Sequence, residues 1–241
     1  MSINNRVAII TGAGRGVGQA AARLFARHGA RVALFSQTAA HLDETLALIR
    51  SDAGRDEPLP LQVVGDVSRE EDVHALFERV LETYGRVDIL VNCAGIVVTR
   101  PFVDMDVASW DRVMDVNLRG TFLCCRAAFR VMTAQRHGVI INMSSLSGVK
   151  GVEKFPGLSA YNVSKAGIAS LTEILAVEGK PHNIRVCAVS PGAIDTEMLR
   201  QAAPHLKAGM TPDDMAEILL LLADDSGRHL SGTNLEIFSN N

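Results

Sequence analysis

The sequence predicts an α/β fold: an open, doubly wound parallel sheet of about seven strands with helices on both faces. Three observations carry this. Short β-branched, apolar runs alternate along the chain with longer segments of helical periodicity, as they do where parallel strands are joined by crossover helices. The first run opens into a glycine cluster that leads straight into a helix. The distinctive turns, at residues 11–18, 66–68, 92–95, 144–148 and 190–196, each follow a strand. In an open sheet of this kind they line the one edge where a ligand crevice forms.

Element by element, RVAII (6–10) reads as a buried parallel strand and QAAARLFARHG (19–29) as a helix stopped by Gly29. RVALFS (31–36) and the helical segment 39–54 follow, then the strand LQVVGDV (61–67) and the amphipathic helix EEDVHALFERVLETYG (70–85), which ends on glycine. VDILVNCAG (87–95) is a strand and turn, and a long helix is expected over 106–135 before the strand GVIINMSS (138–145). A helix over 159–180 carries YNVSK, and IRVCAVSPG (184–192) is the next strand and turn. Thr211, Pro212 and Asp214 read as N-cap, N1 and N3 of a helix through AEILLLLA, and NLEIF (234–238) is the last strand. No linker, repeat or low-complexity segment interrupts the pattern, so residues 1–241 read as a single domain.

Composition narrows the functional classes. With a net charge of −3 and a pI near 6.2, the chain has no basic surface suited to nucleic acid or an anionic membrane, and neither partner is expected. No run approaches a membrane-spanning length and the N-terminus lacks a signal-peptide pattern, so a cytoplasmic location is expected. Cys93, Cys124, Cys125 and Cys187 lack zinc-site spacing and read as buried free thiols, and the seven histidines are scattered. No metal is expected.

Two motifs carry chemistry. In TGAGRGVG (11–18), Gly12, Gly16 and Gly18 permit a tight turn, close approach of backbone to a pyrophosphate, and close packing of helix on strand. The helix N-terminus that follows offers amides and a positive dipole end. Glycines can also serve turn geometry alone, but their place after the first strand points to a nucleotide. In YNVSK (161–165), a spacing of four sets Tyr161 and Lys165 on one helical face, their Cβ atoms roughly 5–6 Å apart. A cation beside a phenol favours the phenolate, whereas burial opposes it. Tyr161 is thus a candidate proton donor and acceptor.

The glycine spacing is GxxxGxG. Together with NCAG (92–95), Asn117 in DVNLRG, Ser145 in INMSSLSG, YNVSK and PGAIDT (191–196), in this order along nearly the whole chain, it resembles the short-chain dehydrogenase/reductase superfamily, and single-domain members like bacterial 3-oxoacyl thioester reductases in particular. The resemblance implies a Rossmann-type fold and a nicotinamide dinucleotide along the strand ends. Gly12, Gly16 and Gly18 would lie at the pyrophosphate, and Asp66 and Val67 at the adenine. Asn92, Ala94 and Gly95 would lie near the adenosine ribose, with Cys93 replacing the commoner second asparagine. Pro191, Gly192, Ile194 and Thr196 would orient the nicotinamide. Asp66 has the alternative of a helix N-cap or turn carboxylate.

For catalysis the resemblance carries over to Asn117, Ser145, Tyr161 and Lys165. Ser145 would hold the substrate oxygen and Tyr161 transfer the proton. Lys165 would lower the Tyr161 pKa and bind the ribose, and Asn117 would support a water linking Lys165 to solvent. Asn117 has the alternative of a helix kink or buried amide, and Ser145 that of a strand-end turn, with Ser144 and Ser147 as rivals. Ser145 and Tyr161 stand sixteen apart, where the family usually has about thirteen. The extra residues fall in 148–160, with Lys150, Glu153, Lys154 and Phe155, a loop that either shapes the substrate pocket or is simply solvated.

The second strand ends in Ser36-Gln37-Thr38, with no acid to meet a ribose 2′-hydroxyl, and Arg15 could reach a 2′-phosphate. NADP(H) is therefore expected over NAD(H), although Gln37 stands where NADP-dependent relatives often place arginine. Residues 193–210, with Met198, Leu199, Leu206 and Met210, read as a substrate flap or an ordinary amphipathic helix. The expected substrate is a small carbonyl compound or alcohol, and a homodimer or homotetramer is expected. The competing readings are an NAD(H)-dependent sugar, polyol or other secondary-alcohol dehydrogenase, and a non-catalytic dinucleotide sensor.

Overall fold

The computed structural model of the protein describes residues 3–52 and 59–238. Among the described residues, seven strands form one sheet in the order β3-β2-β1-β4-β5-β6-β7: β1 (Val7–Thr11), β2 (Arg31–Ser36), β3 (Leu61–Val64), β4 (Ile89–Asn92), β5 (Gly138–Met143), β6 (Ile184–Pro191) and β7 (Asn234–Ile237). Every pairing is parallel. The chain winds outward from β1 to β3 and then resumes on the other side of β1 with β4. The switch point, and the crevice it creates, therefore lies beyond the C-terminal ends of β1 and β4.

The helices are α1 (Gly16–Arg27), α2 (Ala39–Asp52), α3 (Glu70–Tyr84), α4 (Val107–Met114), α5 (Gly120–Gln135), α6 (Ser159–Gly179), α7 (Glu197–Ala202) and α8 (Pro212–Ala223). Alternate residues of the central strands feed two separate cores. Ala8 and Ile10 face Ala21, Phe25, Leu219 and Leu222 of α1 and α8, while Val7 and Ile9 share the opposite core with Leu76, Val80, Leu123 and Ala128 of α3 and α5. The period of two in a strand sends neighbours to opposite faces, and both faces here are covered, hence the continuous apolar runs.

Several boundaries differ from the sequence expectation. Helix α1 begins at Gly16, three residues early, because the last glycines of the cluster form its first turn. The third strand stops at Val64 rather than 67: the Gly65 amide still bonds Ser36 O at 3.1 Å, but Asp66 then folds into a side-chain-capped turn. The long helix over 106–135 is interrupted at Asp115–Arg119 by a π-helical turn that carries Asn117. The expected ends of the helix at 53–54 lie outside the described residues. Helix α8 starts as expected, Thr211 and Asp214 forming a reciprocal capping box with Pro212 in the first turn.

Candidate active site

A cleft of about 1250 Å³ opens beyond the ends of β1, β4, β5 and β6. Its floor is the glycine turn. Gly12 has φ +66°, and a Cβ there would stand 2.8 Å from the Ala94 backbone; a Cβ on Gly18 would stand 2.3 Å from the Gly12 carbonyl oxygen. Glycine is thus required where the turn lies against the 93–95 loop and where α1 lies against its own turn. The Thr11 hydroxyl accepts from the Ala94 amide at 3.2 Å and joins the two loops. The N-cap of α1, Arg15, provides no side-chain acceptor, and the first turn holds no acid. The amide-rich end of α1 is thereby left to an anion. This bare-glycine cradle fits the pyrophosphate of a dinucleotide.

The opposite wall brings the catalytic candidates together. Ser145 follows β5 and caps a short 3-10 turn, Leu146–Gly148, its Oγ accepting from the Ser147 amide at 3.1 Å. Its hydroxyl stands close enough to the Tyr161 phenol to favour the phenolate. Lys165 lies 5.6 Å from the Tyr161 ring centroid and donates to Met143 O at 2.7 Å. Of the rival serines, Ser144 is buried with its hydroxyl donating to Lys165 O at 2.8 Å, which ties β5 to α6. Burial pushes the Tyr161 phenol above its usual value, and the Ser145 hydroxyl opposes the rise. Burial brings Lys165 down to about 8, with Cys93 pulling the other way. Cys93 itself is pushed up to about 12 by burial, with Lys165 opposing, so it is a thiol at neutral pH.

Gly12, Arg15, Gly16, Gly18, Ala94, Gly95, Ser145, Tyr161, Lys165, Pro191, Gly192, Ile194 and Thr196 all line the cleft. Five other candidates do not line it. Asn117 is fully buried: its Oδ1 accepts from Ile96 N at 2.8 Å, and its Nδ2 donates to Ile96 O and Ser164 Oγ, both at 3.0 Å. It is the buried amide at a helix irregularity, and it braces the 93–97 loop. Asn92 donates to Asn142 Oδ1 at 2.8 Å inside the core. Val67 packs against Gly120.

Asp66 is the turn carboxylate. Its Oδ1 accepts from the Ser68 amide and hydroxyl at 2.8 and 2.7 Å, and its Oδ2 meets Arg112 at 3.2 Å. Burial works to raise its pKa, but these bonds hold it below the ordinary carboxylate value. Ser36 lies beside Gly14, where His41 also packs. Arg15 faces α7, not Ser36: its guanidinium pairs with Glu197 at 2.8 Å across the cleft mouth. The sequence offered no signal for Glu197 or His41, because both act over long sequence separations. Thr11 carried one, its place directly before the glycine cluster.

Residues 193–210 are closed at the base by an Ile194–Met210 bridge and by the Asp195 amide donating to Met210 O at 2.8 Å. The loop 148–160 reaches this segment, Phe155 meeting His205 edge-on with ring centroids 6.4 Å apart. No helix among the described residues is long and apolar enough to cross a membrane, and no three His, Cys, Asp or Glu among them could hold a metal ion.

Sequence comparison agrees with the cleft. The short chain dehydrogenase family pattern matches residues 6–207, and the chain belongs to that family. It is 34% identical to the 3-oxoacyl-(acyl-carrier-protein) reductase FabG of Thermotoga maritima, over 96% of each chain. It is 33% identical to an NAD-dependent glycerol dehydrogenase of Listeria innocua, over 98% of this chain and 93% of the other. The crystal structure of gox2181 superposes with a TM-score of 0.91 at 34% identity, covering 98% of this chain and 95% of that one. The protein is an NAD(P)-dependent oxidoreductase acting on carbonyl or alcohol substrates.

Proposed function

We propose that the protein is an NADP(H)-dependent reductase of carbonyl compounds, with 3-oxoacyl thioesters among its substrates. The observation that carries the reaction is the convergence of Ser145, Tyr161 and Lys165 on one cleft wall, facing the 191–196 turn. The dinucleotide, when bound, supplies the hydride that the carbonyl carbon receives. Ser145 holds the substrate oxygen, its donor direction set because the Ser147 amide already occupies one lone pair. Tyr161 gives its phenolic proton to that oxygen and recovers it from solvent. Lys165 sets a positive charge near the Tyr161 ring as the phenolate forms, and Asn117 braces the loop wall behind it.

Val152, Phe155, Leu158, Met198 and Leu206 give the cleft an apolar wall that suits the acyl or alkyl part of a substrate. The Thermotoga relative's substrate class supports the thioester reading. The absence of an acid at Ser36-Gln37-Thr38 supports NADP(H). One observation favours the alternative of an NAD(H)-dependent alcohol or polyol dehydrogenase: Arg15 is held by Glu197, away from Ser36. The Listeria relative is an enzyme of that kind. Four free cysteines, three of them buried, suit a reducing, cytoplasmic compartment. A homodimer or homotetramer is proposed through α5 and α6, whose outer faces expose Phe122, Ile174 and Val177.

Turnover of ketones, acyl thioesters and alcohols with both dinucleotides tests the substrate reading. Tyr161→Phe is expected to abolish turnover while leaving the dinucleotide Kd within about twofold. Turnover unchanged in that variant refutes the role of Tyr161, and absence of turnover in the parent with every substrate and both dinucleotides leaves a binding protein.

A further inference from the structure

We infer that Lys154, in the lengthened loop between Ser145 and Tyr161, is a positioning residue that pins the 146–148 turn so that the Ser145 hydroxyl faces the Tyr161 phenol. The inference rests on the role proposed for Ser145. A single 3-10 turn has little hold of its own. This one is fixed from two sides. On the inner side Gly148 sits flush on α6, where a Cβ would stand 2.5 Å from the Ala166 amide nitrogen and 2.6 Å from the Lys165 carbonyl carbon. On the outer side the Lys154 ammonium donates to Leu146 O at 3.3 Å, to Ser147 O at 2.8 Å and to Val149 O.

Three N–H donors thus meet three carbonyls at the carbonyl-rich end of the turn, the end a cation favours. The consequence runs through Ser147. Its carbonyl is held by Lys154, and its amide donates to Ser145 Oγ. With that lone pair occupied, the one Ser145 proton points at the Tyr161 oxygen until a substrate oxygen takes it. Without the ammonium, the Ser147 and Val149 carbonyls must turn to water, and Leu146 O, on the peptide whose amide orients Ser145, keeps only the Val149 amide at 3.1 Å. The extra chain length lets the loop double back far enough to bring Lys154 under the turn.

Tyr84 and Tyr161 are the chain's two tyrosines, so in a Tyr84→Phe background the ultraviolet absorbance of phenolate reports Tyr161 alone. The titration is read immediately after a pH jump, ahead of alkaline unfolding. Lys165, on the same helix as Tyr161, and Cys93, in the facing loop, are common to every variant. Ser145→Ala is expected to move the Tyr161 midpoint up by about 1 pH unit, the worth of one hydrogen bond to an ionised oxygen. Lys154→Met is expected to move it the same way by less, and Lys154→Arg to restore most of the difference. The double variant should titrate no higher than Ser145→Ala alone.

An unmoved midpoint in Lys154→Met beside a shifted one in Ser145→Ala overturns the inference. So do additive shifts in the double variant, which would mean that the lysine acts on Tyr161 by its own charge. So does a fall of many degrees in Tm, which would make the residue generally structural. If Ser145→Ala itself leaves the midpoint in place, the Ser145–Tyr161 contact is refuted, and the proposed role of Ser145 falls with it.

Discussion

Replacing Lys165 by methionine should stabilise the folded chain near neutral pH and remove a defined pH dependence. Burial lowers the Lys165 ammonium from 10.5 to about 8. Between those values the unfolded chain binds more protons at this site than the folded one, so Lys165 makes stability rise with pH there and costs most below about pH 8. The full gap is worth about 3 kcal/mol. Methionine keeps the length and removes the charge, at the expense of the bond to Met143 O. That loss is about 1–3 kcal/mol and independent of pH, so it sets the level of the difference curve but not its slope.

Buried thiols work in the opposite direction, because Cys125 and Cys187 are held up at about 12 and keep protons that the unfolded chain releases. Their effect cancels between variant and parent. Cys93, which feels the Lys165 charge, is replaced by alanine in both proteins. Urea unfolding followed by the fluorescence of Trp110, the chain's one tryptophan, gives the stability of each protein from pH 7 to 10 under reductant. The advantage of Lys165→Met should shrink by about 2.5 kcal/mol over that range. A difference that is flat in pH, or that grows with it, refutes the buried, depressed ammonium.

Two further outcomes test the cofactor cleft. Glu197→Gln releases Arg15 from an exposed ion pair that contributes little stability. Titration of dinucleotide fluorescence should show NADPH binding tightened about 3–10-fold with NADH unchanged, the size of one charge-assisted contact; a gain confined to NADH would sink the NADP(H) assignment. Gly18→Ala places a Cβ 2.3 Å from the Gly12 carbonyl oxygen, so the turn must shift. A loss of about 1–3 kcal/mol in stability and at least about tenfold in dinucleotide affinity is expected by urea unfolding and fluorescence titration.

Periodicity and glycine placement are local properties of the chain, and they were enough to show the alternating strands and helices, the crevice edge, the dinucleotide turn and the Tyr161–Lys165 pair. Burial of an apolar face leaves a repeating mark on neighbouring residues, and a turn that must take positive φ leaves a glycine. Contacts between distant segments leave no such mark. Only the tertiary structure decided that Asp66 is spent on Ser68 and Arg112, and that Arg15 reaches Glu197 across 182 residues rather than turning to Ser36. It also placed Asn117 on a π turn as a brace for Ile96, and Lys154 beneath the turn of Ser145. The charge balance of the site was decided there too. Four-residue spacing sets the lysine beside the phenol, but the depth of burial, which depends on every packed layer around α6, raises Tyr161 and lowers Lys165.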